Sequence, residues 1–231
     1  PASGGLSRDS VENIRQNAIA NFGAQSRAIT REDYIARVYS MPPKFGGVAK
    51  AYIIGDQQVD TSDIDYPSDT ISNPLALNLY VLGFDSEKNL IGPNEALKEN
   101  IRTYLSNFRM LTDAINIKSA YVVNIAIDFE VVPRPNKNSH EVILQCIARL
   151  KQLLHVDRMQ INGPINRNEL VTELDKLEGV QSIPTLVIKN KAGGTYSTNA
   201  YDIEAATRYG IIYPSLDPCI FEVKYPDSDI Q

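Results

Sequence analysis

The run YVVNIAIDFEVV, residues 121–132, restricts the possible folds more than any other stretch of this chain. Its side chains alternate with period two, the signature of a β-strand. Tyr121, Val123, Ile125, Ile127, Phe129 and Val131 fall on one face, and Asn124, Asp128 and Glu130 on the other. One buried face and one largely wet face is the habit of an antiparallel or edge strand, not of a central parallel one. Pro133 and Pro135 end the run, because neither can donate to a ladder.

Helical signals lie on both sides. Asp9 and Glu12 have capping-box spacing, Val11, Ile14, Ala18 and Phe22 share one face, and Gly23 supplies a stop. A second helix is predicted from an N-cap at Thr30 with Asp33 three residues on. Ile29 and Tyr34 are spaced as a hydrophobic staple, Val38 and Met41 continue the face, and Pro42-Pro43 terminates it. Strands are expected over 48–54 and 75–84, the second pairing with the first. Gly92-Pro93 leads into a helix carrying Leu97, Ile101, Tyr104, Leu105, Phe108 and Leu111. A fourth helix starts near Asn138, with Val142, Cys146, Leu150 and Leu153 on its core stripe and Ile143, Ile147 and Leu154 widening it. A fifth starts at Asn166-x-x-Glu169, carries Leu170, Leu174 and Leu177, and closes at Gly179. Residues 181–188 read as an edge strand because of Pro184. Lys191-Ala-Gly-Gly194 signals a hairpin turn, and the rest is a tail rich in Tyr, Pro and short β-like pieces. Helices and strands mix without strict βαβ alternation, so the fold class is α+β. Three portions are expected: helices with a β-hairpin over 1–86, an α/β sandwich module over 87–190, and a β-rich tail over 191–231.

Chemistry is sparse in this pattern. A net charge of −5 and the lack of any Lys/Arg run argue against nucleic acid. No apolar run approaches the roughly 20 residues that span a bilayer. The start PASGGLSRDS, with no Met and no apolar signal core, is expected to be the cut end of a longer chain. The two cysteines, Cys146 and Cys219, form no CxxC and suit a reducing compartment; Cys146 on an apolar stripe behaves as a small hydrophobe. His140 and His155 sit at opposite ends of one helix, roughly 22 Å apart, and cannot share a metal within one chain. Lys44 beside Gly46-Gly47 suggests a phosphate cradle, but the glycines lead into a strand, so no helix N-terminus is available to the anion. In the acidic stretch 56–69, Asp60, Asp63, Asp65 and Asp69 could ligate Ca²⁺, although the glycine and glutamate of an EF-hand are missing. No catalytic, cofactor or metal residue is assigned; a calcium-binding interaction module built on 56–69 stands as the alternative to a structural protein.

Thr30-x-Glu32-Asp33-Tyr34, followed by a short loop and Gly47-Val48-Ala49-Lys50-Ala51, resembles the baseplate-J-like proteins of contractile phage tails. The second half is similar as well: a long strand ending at Val132, the helix 138–154, Ile161-Asn-Gly-Pro-Ile165, the helix 166–177 and Gly179-Val180. The likeness covers most of 25–190. It implies a non-enzymatic structural subunit of a virion tail baseplate. Its copies would pair through two kinds of interface and close into a ring around the tail hub, bound to neighbouring wedge proteins, and the ring would widen on contraction. It implies no cofactor. The tail tyrosines Tyr196, Tyr201, Tyr209 and Tyr213 exceed what a short hairpin buries. They are candidates for a self-association surface, since tyrosine is favoured at interfaces, or for packing on the parent domain.

Overall fold

A computed structural model describes residues 27–55, 76–85, 87–110 and 113–231. The expected helix at 9–23 and the acidic stretch 56–69 lie outside them. The fold is α+β. It divides into two compact units, residues 1–120 and 121–231.

The first unit is built on a capped helix, α1 (Arg31–Tyr39). Thr30 Oγ1 accepts from Asp33 N at 3.2 Å, and Asp33 Oδ2 accepts from Thr30 N at 2.9 Å, so two free N–H groups are satisfied reciprocally. The expected staple is not formed. Ile29 N also donates to Asp33 Oδ2, and its side chain is 65% exposed; Ala28 is the buried residue before the cap. Tyr34 and Val38 are buried as predicted, and the Tyr34 hydroxyl donates to Asp113 Oδ2 at 2.6 Å. After a 3₁₀ turn (Pro43–Phe45), β1 (Lys50–Gly55) pairs antiparallel with β2 (Ala76–Phe84), Tyr52 opposite Tyr80. The two-residue β3 (Leu90–Ile91) folds back on the end of β2. Asn94 caps α2 (Glu95–Leu105) through Leu97 N. The helix stops short of the expected Leu111: Asn107 N and Phe108 N donate to Tyr104 and Leu105 carbonyls three residues back, which tightens the last turn.

The chain then returns as β4 (Ala114–Ser119), parallel to β2 with Ile117 opposite Leu79. This strand was not expected. It is followed after Ala120 by the next strand with no Gly or Pro between them, so two strands of different sheets read as one apolar stretch. It also places residues 87–120 with the first unit, whose core gathers Tyr34, Val38, Ile53, Leu79, Ile101, Leu105 and Ile117.

In the second unit β5 (Tyr121–Pro133) is the central strand, flanked by β10 (Cys219–Glu222) in parallel and β7 (Val180–Lys191) in antiparallel. This corrects the reading of an antiparallel or edge strand with a wet face. Val122, Asn124 and Ala126, on the supposed wet face, are buried. The segment after β7 reaches this region: Ser197 N donates to Asn124 Oδ1 at 2.7 Å, Asn199 Nδ2 donates to the Val122 carbonyl at 3.0 Å, and Asn124 Nδ2 donates to the buried Glu222 carboxylate. At Asn124 the polar face is thus satisfied by protein rather than by water, whereas further along it Asp128 is half-exposed and Glu130 exposed. The Gly193-Gly194 turn therefore leads into this covering segment and not into a hairpin partner of β7. Pro184 sits where the β5–β7 register shifts, between the pairs Thr185–Glu130 and Ser182–Val132, on a strand that among the described residues pairs with β5 alone.

Helix α3 (Ser139–Leu153), capped by Asn138, buries Val142, Cys146 and Leu150; Ile143, expected on the stripe, is exposed. Helix α4 (Arg167–Asp175) is capped by Asn166 and buries Leu170 and Leu174, and Gly179 takes φ +98° just beyond it. A short helix, α5 (Ile203–Ala206), precedes a small sheet ordered β6-β9-β8, made of β6 (Ile165–Asn166), β8 (Thr207–Arg208) and β9 (Ile211–Ile212). At the C-terminus Ile230 is buried beside Ile127, with Asp229 O and Gln231 O accepting from Ile127 N and Phe129 N.

Candidate functional site

The site is a hairpin and the groove beside it. Strands β8 and β9 pair through Thr207–Ile212 and Arg208–Ile211, leaving a two-residue loop, Tyr209-Gly210. Both residues have positive φ, +55° and +79°, as a type I′ hairpin turn requires. Glycine is suited to that conformation, whereas a bulky residue is strained in it. The turn is tied to α4: Asn168 Nδ2 donates to Tyr209 O at 3.2 Å, and Arg167 N donates to Gly210 O at 2.9 Å. A Cβ on Gly210 would lie 2.6 Å from Asn168 Nδ2, so the close approach also demands glycine.

Tyr209 projects from the tip of this clamped turn with 95% of its surface exposed. Tyr213 is 45% exposed and Leu216 71%. A groove of about 500 Å³ is lined by Tyr201, Ala205, Ala206, Arg208, Tyr209, Tyr213 and Pro214. The Tyr201 hydroxyl donates to Tyr213 O at 2.6 Å and its ring meets Phe221 edge-on at 5.7 Å, which fixes one wall on the core. Burial pushes the Tyr201 phenol up from its ordinary range.

Three of the four tail tyrosines therefore converge, and one does not. Tyr196 donates to Asp229 Oδ1 at 2.7 Å and packs edge-on against Tyr225. That hydrogen bond, together with burial, pushes its phenol up to about 12. Tyr196 and Tyr201 pack on the parent domain, while Tyr209 and Tyr213 face solvent. Sequence reasoning missed Arg208 and Pro214. The available signal was Tyr-Gly between two β-like dipeptides, obscured because a tyrosine stands where Asn, Asp or Gly is usual.

The other candidates lie elsewhere. Lys44 is exposed and lies over the Phe45 ring at 4.8 Å, and Gly46 (φ +113°) packs so close to Leu97 that a Cβ would come within 2.8 Å of it. These residues form a turn against α2. His140 and His155 are exposed at the two ends of α3, and both cysteines are buried, with the Cys146 thiol pushed up by desolvation. Among the described residues no group of three His, Cys, Asp or Glu is placed to hold a metal ion. Among them, too, no helix is long and apolar enough to cross a membrane.

The fold has a known counterpart. It is similar to that of a chain in the anti-feeding prophage baseplate, determined by cryo-electron microscopy with six-fold symmetrisation: TM-score 0.56, 15% identity, 95% of this chain covered. The match takes in 43% of that longer chain, so this protein spans less than half of its length. No protein-family model and no curated protein matches the sequence.

Proposed function

We propose that this chain is a structural subunit of a contractile-tail baseplate, carried in the virion tail and assembled in the host cytoplasm. The observation that carries the reading is the fold likeness to an anti-feeding prophage baseplate chain over 95% of the residues. The baseplate-J-like pattern across 25–190 supports it independently. Within that family the acidic stretch and the β-rich tail fit best the wedge protein that builds the inner ring of T-even-type baseplates. In this reading copies associate as dimers and as a ring around the hub, and neighbouring wedge and hub proteins bind the remaining surfaces. The exposed Tyr209 and Tyr213 belong to the self-association surface: aromatics held rigidly in solvent supply contact area at little entropic cost.

Light scattering on the full chain over a wide concentration range tests this. A dimer or larger species is expected, and a strict monomer at the highest concentration rejects self-association through this region. Removing 191–231 is not a usable probe of the contact, because β10 and the buried Ile220, Phe221 and Ile230 would go with it. Tyr209→Ser and Tyr213→Ser leave the core intact and should each shift the equilibrium toward monomer.

A further inference from the structure

The groove beside the hairpin has aromatic walls and one charge. Tyr201, Tyr209 and Tyr213 with Pro214 supply flat apolar surface, and Arg208 is the charged residue of the lining. Among the described residues the Arg208 guanidinium has no ion-pair or hydrogen-bond partner. The nearest acids in sequence do not neutralise it: Asp202 caps α5 through Ala205 N, and Glu204 does not line the groove. Aromatic walls with proline take an extended segment, whose side chains pass between the rings. Arg208 is exposed in the groove of the free chain, and a segment laid over it would exclude water from the guanidinium, so a carboxylate carried by that segment would form a charge-assisted hydrogen bond there. The complement is an extended segment with a carboxylate next to an aromatic or proline side chain.

The chain itself carries residues of that chemistry. Residues 56–69, DQQVDTSDIDYPSD, hold five aspartates and no Lys or Arg, and Asp65 directly precedes Tyr66-Pro67. A residue before proline is biased to extended backbone. We propose that residues 63–69 of one copy dock in the Tyr201–Tyr213 groove of the next, with the Asp65 carboxylate on Arg208 and Tyr66-Pro67 against the tyrosines. This rests on the self-association reading and adds which surfaces meet. The contact joins two different faces, so it is heterologous: successive copies add head to tail, closing a ring where the rotation permits.

Sedimentation equilibrium of the full chain tests it with two charge-neutralising variants. Arg208→Gln and Asp65→Asn should each weaken head-to-tail association by about tenfold, the effect of truncating one member of a charge pair that docking closes off from water. An equimolar mixture of the two variants retains one intact groove and one intact segment, so it should regain a single head-to-tail contact between one copy of each variant and no series of such contacts. A fluorescent synthetic peptide of residues 60–70 should bind the full chain, and bind Arg208→Gln at least about tenfold more weakly.

If association is unchanged in both variants and the peptide does not bind, the docking is overturned while self-association stands. Equal peptide binding to wild type and Arg208→Gln overturns it as well. A monomeric chain that binds the peptide through Arg208 keeps the groove assignment and removes the self-association reading instead. A monomeric chain that ignores the peptide removes both.

Discussion

At the scale of single residues, the Tyr209-Gly210 turn combines strain and exposure. A non-glycine residue at φ +55° is usually Asn or Asp, whose short side chains relieve the conformation locally. Tyrosine does not, and its ring gains nothing from the fold because it is almost wholly exposed. Tyr209→Asn should therefore stabilise the isolated chain by about 0.5–1 kcal/mol while weakening self-association. Gly210→Ala should destabilise it by about 1–2 kcal/mol or more, from the left-handed φ and the contact with Asn168. Urea unfolding of the two variants at concentrations where the chain is monomeric decides both signs.

Buried phenols give a second residue-scale expectation. Burial first, and then the Asp113 acceptor, hold the Tyr34 phenol above its usual range, and Tyr196 is raised to about 12 chiefly by its bond to Asp229. Unfolded tyrosines ionise near 10. Between about pH 10 and 12 the unfolded chain has lost protons that the native chain keeps, so stability is complete below 10 and falls as pH rises through the window. Tyr196→Phe should make the fall of the urea midpoint across that window shallower; an unchanged slope would reject the assignment.

At the scale of elements, the helices were legible because their ends are written in the sequence. Thr30, Asn138 and Asn166 all act as caps, and a cap is a local interaction that three or four residues specify. The stop expected at Gly179 is not there: α4 ends at Asp175 with Lys176 as its C-cap, and Gly179 (φ +98°) turns the chain into β7. Strand partners were not legible. Whether β5 is central depends on β10, nearly a hundred residues away in sequence, and no period in 121–132 encodes that neighbour. The groove was half legible: tyrosine count pointed to the tail, but only the hairpin geometry separates Tyr209 and Tyr213 from the packed Tyr196. Between elements, Glu173 on α4 receives Lys176 from the C-cap of its own helix and Arg149 from α3. These hydrogen bonds, Lys176 first, lower its carboxyl to about 2. A depressed folded pKa contributes stability that is present above the unfolded value near 4.5 and is lost as pH falls toward 2. Glu173→Gln should flatten the acid limb of the stability profile between those values, with little change in its alkaline limb.

At the scale of the whole molecule, the division at Ala120 and Tyr121 has a direct consequence. No glycine or proline marks that boundary, which is why a sequence reading placed the break at 86 and 87. Sheet pairing decides it: β4 completes the sheet of the first unit, and β5 begins that of the second. The second unit has its own continuous core, joining Ile125 and Ile127 of β5 to Cys146 and Leu150 of α3, Leu174 of α4 and Phe221 of β10. Its 111 residues, 121–231, are enough for an independently stable domain. Expressed alone, this segment should give a dispersed amide spectrum and a single cooperative urea transition with a slope of about 1–2 kcal/mol/M. Because the segment contains the groove but not residues 56–69, it should also bind the 60–70 peptide while remaining monomeric. A fragment that melts without cooperativity would mean that the second unit depends on the first. A folded fragment that self-associates as strongly as the full chain would mean that the contact between copies lies wholly within the second unit.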